Sequence, residues 1–150
     1  MLEISAGQMD VVIFKVADYM MSFKSLNVRE IIRRIEKVTP VYRSDDAIEG
    51  VINLRGSVVT VFDLNKHLSL GLETLEDRYV IVVDFEDELI GVLVDKVDDV
   101  LSVDKAVIEP PPVNLNKLPQ AFQEGVFQHE EQMVSLLNIS EIFKNSAVGS

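Results

Sequence analysis

The sequence contains an internal repeat, and this repeat limits the folds that the chain can adopt. Glu49-Gly50-Val51-Ile52 is followed after six residues by an apolar run and then by Asp63-Leu64. A similar series begins 75 positions later with Glu124-Gly125-Val126-Phe127 and ends in Asn138-Ile139. Each copy has the pattern of a β-hairpin that runs into a polar helix cap. Two unrelated hairpins would also look alike at this level, but the repeat favours two similar β-units.

Short apolar runs rich in Val and Ile recur between turn signals and indicate a mainly β chain. Strands are predicted at 11–16, 20–25, 38–42, 51–54, 57–62, 79–85, 89–94, 106–108, 124–129 and 132–137. Apolar residues at helical spacing predict short helices within 28–35, 64–70 and 139–143. These elements suggest two stacked β-barrels of about five strands each. Because each unit is too small to be stable alone, we expect a shared apolar seam.

Composition and charge exclude several classes of function. The chain has 150 residues, of which 47% are hydrophobic, and we expect one domain over 1–150. It has no Cys, which excludes disulfides and thiolate metal sites. A net charge of -11 argues against nucleic-acid binding, and no apolar run is long enough for direct membrane insertion. Residues 1–10 lack the pattern of a secretion signal, so we expect a cytoplasmic protein.

The residue inventory offers no catalytic group, metal site or cofactor site. Only His67 and His129 are present, outside any metal-ligand spacing, and we expect both to be exposed and structural. The glycine-rich loops that hold phosphates are missing from the sequence. We therefore expect a protein that is not an enzyme.

Two acidic stretches support an alternative function, an ion-binding or acidic-site β protein. Residues 84–88 offer carboxylates that suit a divalent cation, but they lack the register of an EF-hand loop. A solvated hairpin tip is the simpler interpretation. The aspartates within 95–104 are interpreted as the solvated side of an edge strand or a turn.

The segment Asn53-Leu54-Arg55-Gly56 lies between two predicted strands. Gly56 can adopt the positive φ that a tight hairpin turn requires. Such a turn places Arg55 at its tip, where the guanidinium can bind a carboxylate or a backbone carbonyl of a partner. An arginine that only makes the turn soluble is equally consistent with this pattern.

Six segments carry a resemblance to a known family: 28–33, 39–41, 48–56, 63–64, 91–97 and 108–112. In order and spacing they resemble the CheW-type chemotaxis coupling proteins over about residues 10–145. The resemblance implies two SH3-like five-stranded β-barrel subdomains around a shared hydrophobic seam, with short helices. We expect the first subdomain over about 15–80 and the second over about 81–138, with the N-terminal strand and the C-terminal segment packing across.

The resemblance also implies a function and a set of partner-binding positions. Similar proteins bind the regulatory domain of the histidine kinase CheA and the cytoplasmic tip of methyl-accepting chemoreceptors. They regulate kinase autophosphorylation without performing a reaction, and they are recruited to membrane receptor arrays. The matching positions in this chain are Val28, Glu30, Gly50, Asn53, Leu54, Arg55 and Gly56. The chain departs from the family at 128–133, where relatives more often have a turn that contains glycine.

Overall fold

The computed structural model describes residues 7–33, 38–40, 46–71, 78–113 and 118–144. These residues form ten strands, two short α-helices and single 3-10 turns at Ser25–Asn27, Lys105–Val107 and Gln120–Phe122. The strands and helices are β1 (Gln8–Val16), β2 (Tyr19–Lys24), β3 (Val28–Ile32), β4 (Ile48–Leu54), β5 (Ser57–Asp63), α1 (Leu64–His67), β6 (Tyr79–Phe85), β7 (Glu88–Val94), β8 (Lys96–Asp104), β9 (Gln123–His129), β10 (Gln132–Leu137) and α2 (Ile139–Phe143). The predicted mainly β fold is confirmed.

Two five-stranded sheets have the same strand arrangement. The first sheet has the order β3-β6-β7-β5-β4, and the second has the order β8-β1-β2-β10-β9. Among the described strands, one parallel pair in each sheet, β5 with β7 or β10 with β2, joins antiparallel hairpins. The two β-units predicted from the repeat are therefore present. Because β6 and β7 lie in the first sheet and β1 and β2 in the second, the predicted boundary near residue 80 does not coincide with a boundary between the sheets.

The repeated Glu-Gly dipeptide lies at a β-bulge in both sheets. The register between β4 and β5 shifts by one residue at Glu49, and that between β9 and β10 shifts at Glu124. The glycine that follows each bulge lies under a neighbouring stretch of backbone, called here the covering segment, which is 38–39 in the first sheet and 108–109 in the second. Thr39 exchanges two backbone hydrogen bonds of 2.8 Å with Val51, and Glu109 makes the equivalent bridge to Val126.

Three buried clusters connect the sequence pattern to the packing. The largest includes residues from both sheets and from both helices, among them Phe14, Phe23, Phe62, Leu64 and Phe143. Each sheet also has a smaller cluster of its own on its other face. Strand β6 reads as a continuous apolar run because alternate residues enter the shared cluster and the first sheet's own cluster. The predicted shared seam is confirmed.

Two predicted secondary-structure elements are wrong, and a missed strand has a related cause. Residues 28–32 form strand β3 rather than a helix, because a bulge at Arg29 places Val28 and Ile31 on one face of the strand at helix-like spacing. Strand β8 was missed because a bulge at Asp98 breaks its alternation in the same way. Residues 105–107 form a 3-10 turn where a strand was predicted. Of the strand predicted at 38–42, residues 41–42 lie outside the described residues.

Side-chain caps begin both helices, as predicted. Asp63 accepts the backbone N–H of Asn65 at 3.0 Å, and Asn138 accepts that of Glu141 at 3.1 Å. The caps occupy equivalent places after β5 and β10. No helix in the described part of the chain is long and apolar enough to cross a bilayer.

The turn at the departure from the family pattern is a two-residue turn without glycine. Glu130 and Glu131 join His129 to Gln132 with φ values of 48° and 66°, which a type I′ turn requires. Positive φ is strained for glutamate and relaxed for Asn-Gly. We expect the double change Glu130→Asn and Glu131→Gly to stabilise the chain by about 1 kcal/mol and to raise Tm by about 2–4 °C in a thermal melt.

A matched variant separates backbone conformation from charge in that turn. Glu130→Gln with Glu131→Gln removes the same two charges but keeps side chains that disfavour positive φ. It is expected to raise Tm less than Asn-Gly does. Equal effects of the two double variants would show that charge repulsion, rather than backbone strain, limits the stability of this turn.

Candidate protein-interaction surface

The turn between β4 and β5 presents Arg55 at its tip, as predicted. Leu54 pairs with Ser57, and Arg55 and Gly56 adopt φ values of 51° and 89° between them. Positive φ at both central residues gives the twist that a two-residue hairpin needs. Asn53 closes the turn, because its side-chain Oδ1 accepts the backbone N–H of Gly56 at 3.0 Å.

Arg55 forms a bidentate ion pair with Glu30. Nη1 of Arg55 lies 3.3 Å from Oε2 of Glu30, and Nη2 donates a second hydrogen bond to Oε1. Glu30 lies on β3, and Arg55 directly follows β4. These two strands are the two edges of the first sheet. The ion pair therefore links strand edges that have no direct pairing in the sheet order. The Arg55 side chain is 72% exposed, so its remaining N–H groups stay available to a partner.

The ion pair shifts the pKa of both groups. The hydrogen bond from Arg55 holds the pKa of Glu30 below its ordinary value of 4.5, and the charge of Arg55 adds to the shift. The same contact raises the pKa of Arg55. A lowered pKa in the folded state means that the pair contributes stability above about pH 4.5 and loses it as pH falls through the lower, folded-state value.

This pKa shift gives a pH prediction for Glu30. In an NMR titration of side-chain carboxyls, Arg55→Ala is expected to move the midpoint of Glu30 upward toward its ordinary value. High salt is expected to reduce the difference, because the pair is exposed to solvent. Lys144→Ala, which breaks a solvent-exposed pair with Glu141 on α2, should leave the midpoint in place. An unchanged midpoint in Arg55→Ala would contradict the assigned cause.

The other predicted positions lie on β3, on β4 and in the turn that follows β4. Val28 is half-buried against the shared cluster, on the face of β3 opposite to Glu30. Leu54 is half-buried against the first sheet's own cluster. Gly50 is buried, and a Cβ added there would lie 2.3 Å from the carbonyl oxygen of Thr39. The structure thus brings Glu30, Arg55 and the turn together, and it places Gly50 under the covering segment.

Sequence reasoning missed two exposed apolar residues on the edge strands. Ile31 on β3 lies opposite Ile81, and Val100 on β8 lies opposite Val12 at the equivalent place in the second sheet. Val100 is 57% exposed, and Ile31 is 37% exposed. Both follow a bulged residue by two positions, so their exposure was hidden by the same break in alternation. A bulge hypothesis at Arg29 and Asp98 would have identified them.

The histidines and acidic stretches take structural positions. The prediction that both histidines are exposed is wrong, since each is half-buried. Nε2 of His67 donates to the carbonyl oxygen of Ile142 at 2.8 Å, and its ring stacks on Phe143. Glu86 and Asp87 form the β6–β7 turn, as predicted for a hairpin tip.

Asp95 also differs from its predicted solvated position. It is buried and accepts the backbone N–H of Ala17 at 2.6 Å, which links the start of β8 to the β1–β2 turn. Among the described residues, no group of three or more His, Asp or Glu side chains could hold a metal ion. The described residues therefore give no support to the ion-binding alternative.

An oriented arginine at a hairpin tip, together with exposed apolar residues on the edge strands of both sheets, is typical of a β-sheet protein-interaction module. The comparisons with known proteins specify the module. The CheW-like domain family matches residues 10–147, and this chain belongs to that family.

Individual relatives agree with the family assignment. The probable chemotaxis protein CheW of Rhizobium etli is 29% identical over 144 residues, which cover 95% of this chain and 92% of the relative. The chemotaxis protein CheW of Klebsiella aerogenes is 35% identical over 121 residues, which cover 80% of this chain and 72% of the relative. The crystal structure of the scaffolding protein TtCheW from Thermoanaerobacter tengcongensis matches with a TM-score of 0.83 and 27% identity, covering 95% of this chain and 94% of that one. The resemblance noted from the sequence is confirmed.

Proposed function

We propose that this chain is a non-enzymatic chemotaxis adaptor that couples methyl-accepting chemoreceptors to the histidine kinase CheA and so regulates autophosphorylation of the kinase. Membership of the CheW-like family supports this function, as do relatives named as chemotaxis and scaffolding proteins. The adaptor works in the cytoplasm and is recruited to membrane receptor arrays. The observation that carries the proposal is the match of the CheW-like domain family to residues 10–147.

Arg55 is the polar anchor of the proposed receptor contact. Two of its nitrogens hold Glu30, so the orientation of the guanidinium is set before a partner arrives. Such preorganisation lowers the entropic cost of binding. The remaining N–H groups can donate to a carboxylate or a backbone carbonyl of the partner.

Exposed and half-buried apolar residues on the sheet edges supply the other part of the contact. Val28 and Ile31 share one face of β3, and Val100 occupies the equivalent edge of the second sheet. A mainly helical receptor tip can lay its apolar side chains against these edges, as helices do in other grooves. A contact with few anchors suits a transient signalling interface. Gly50 and Asn53 support the contact through the backbone that they hold.

The proposal is tested by titrating the chain with two partners from the same organism, the regulatory domain of CheA and the cytoplasmic domain of a chemoreceptor. We expect wild-type protein to bind the kinase domain with a Kd of about 1–10 μM or tighter. Arg55→Ala is expected to weaken receptor binding about tenfold while kinase binding changes less than about twofold. Val28→Ala tests the apolar part of the same contact.

Lys144→Ala is the control, because it removes a cation and breaks an exposed ion pair on α2. It should bind both partners like the wild type. Equal loss of kinase and receptor binding in Arg55→Ala would contradict a receptor role for Arg55. Failure of the wild type to bind either partner at about 100 μM would contradict the adaptor function itself.

A further inference from the structure

We propose that Arg29 is a positioning residue of the partner-binding surface: its ion pair with Asp84 locks the β-bulge that directs Val28 and Glu30 to opposite faces of β3. The inference rests on the proposed function, because it concerns how the same surface is presented. It assigns a role to a residue pair that the partner-binding positions do not include.

The register of β3 on β6 establishes the bulge. Val28 pairs with Val83, and Glu30 pairs with Val82, so Arg29 is an extra residue without a partner on β6. In a regular strand Val28 and Glu30 would share a face, because side chains alternate. The extra residue separates them, so that Val28 packs on the shared cluster and Glu30 meets Arg55.

The surface depends on this register because β3 is an edge strand. Among the strands that the structure describes, β6 is its only neighbour in the sheet. If the bulge moved or closed, every residue on one side of it would turn to the other face of the strand. Glu30 would then point away from Arg55, and the guanidinium would lose its orientation.

Arg29 is placed to prevent such a shift. Its Nε forms an ion pair with Oδ2 of Asp84 on β6, so the side chain of the bulged residue itself links β3 to its neighbour. The Arg29 side chain remains 62% exposed, so the contact lies at the surface. An exposed pair of this kind contributes little to global stability, but it can bias a local choice between two registers.

The second sheet provides an internal comparison. Strand β8 has the same bulge at Asp98, against β1. No ion pair joins Asp98 to another residue in the described part of the chain. The fold therefore produces the bulge in both sheets, whereas the lock is found in the sheet that carries the pair of Glu30 and Arg55.

A charge-swap experiment tests the inference. Arg29→Gln and Asp84→Asn are each expected to weaken binding of the chemoreceptor cytoplasmic domain about two- to fivefold. The double variant Arg29→Asp with Asp84→Arg restores an ion pair across the bulge and is expected to regain most of the wild-type affinity. Hydrogen exchange of the protected β3 amides should be faster in both single variants and slower again in the swap. Lys24→Gln, which breaks the less exposed ion pair with Glu124 in the second sheet, is the control and should change neither readout.

The outcomes separate this inference from the proposed function. If Arg29→Gln weakened receptor binding and Asp84→Asn did not, Arg29 would contact the partner directly. That result would overturn the positioning role. A swap that binds no better than the single variants would also overturn it. If the wild-type chain failed to bind the receptor domain, the proposed function would fail. Amide exchange in β3 would still decide whether the ion pair locks the bulge, and unchanged exchange in both single variants would overturn that lock.

Discussion

Asp63→Ala is expected to lower the free energy of unfolding by about 4 kcal/mol, the largest effect of any single change considered. For a domain of this size the loss corresponds to a fall in Tm of roughly 8–16 °C. Chemical denaturation monitored by circular dichroism measures it, with the midpoint shift expected at an unchanged slope.

Two losses combine at Asp63. Its carboxylate accepts the N–H groups of Asn65 and Lys66 at the start of α1, so the helix loses its cap. The other carboxylate oxygen accepts from Nη1 of Arg78 at 2.8 Å. The Asp63 side chain is 4% exposed and that of Arg78 is 18% exposed, so removing the acid leaves a mostly buried guanidinium without its nearest counter-charge. Glu49, 4.0 Å from Nη2 of Arg78, compensates only in part.

The second sheet offers a matched control for this prediction. Asn138 caps α2 at the equivalent place, and its side chain is uncharged. Asn138→Ala is therefore expected to cost only the cap, about 1 kcal/mol. The loss in free energy of unfolding in Asp63→Asn should lie between those of Asp63→Ala and Asn138→Ala, because an amide oxygen keeps the cap but not the charge. Equal destabilisation by Asp63→Ala and Asn138→Ala would contradict the importance of the pair with Arg78.

Gly50→Ala is expected to destabilise the fold by about 3 kcal/mol. A Cβ at this position would lie 2.3 Å from the carbonyl oxygen of Thr39 and 2.8 Å from Cγ1 of Val38. The first of these atoms belongs to the backbone, so the covering segment must move and its two hydrogen bonds to Val51 must lengthen. The φ of +153° at Gly50 adds strain for any residue with a Cβ.

Two other glycines separate steric overlap from backbone conformation. Gly71 has a φ of +71° and open space around its Cβ position, so Gly71→Ala carries only the conformational cost, about 1 kcal/mol. Gly125 repeats the close approach in the second sheet, with Cγ2 of Ile108 at 2.5 Å and the carbonyl oxygen of Glu109 at 2.8 Å. Because Gly125 does not have a positive φ, we expect Gly125→Ala to show the cost of the overlap alone and to destabilise the fold less than Gly50→Ala. If Gly50→Ala lost no more stability than Gly71→Ala, the close packing of Gly50 against Thr39 would be contradicted.

The variant Gly50→Ala also tests how the partner-binding surface is supported. If Gly50 supports the partner-binding surface through the covering segment, Gly50→Ala should weaken binding in proportion to its loss of structure. Arg55→Ala should weaken receptor binding while the melting temperature stays near the wild-type value, because its ion pair is exposed. The two variants thus separate support of the surface from contact with the partner.

Local sequence pattern was sufficient for the elements that keep a regular period. The hairpins of β4–β5, β6–β7 and β9–β10 follow from apolar runs and turn residues, and the caps at Asp63 and Asn138 follow from side-chain chemistry. The pattern failed at β3 and β8. A bulge inserts one residue into the alternation there, and a three-residue spacing such as Val28 to Ile31 then resembles a helix.

By itself the sequence determined that the chain has two similar β-units, that they share a seam, and that Arg55 stands at a hairpin tip. Only the tertiary structure decided that β1 and β2 complete the second sheet, that Arg55 pairs with Glu30, and that Gly50 lies beneath Thr39. The physical reason is that turns and caps depend on residues a few positions apart, which the sequence displays directly. Strand pairing, edge contacts and close backbone approach depend on residues brought together from distant positions by the burial of apolar surface.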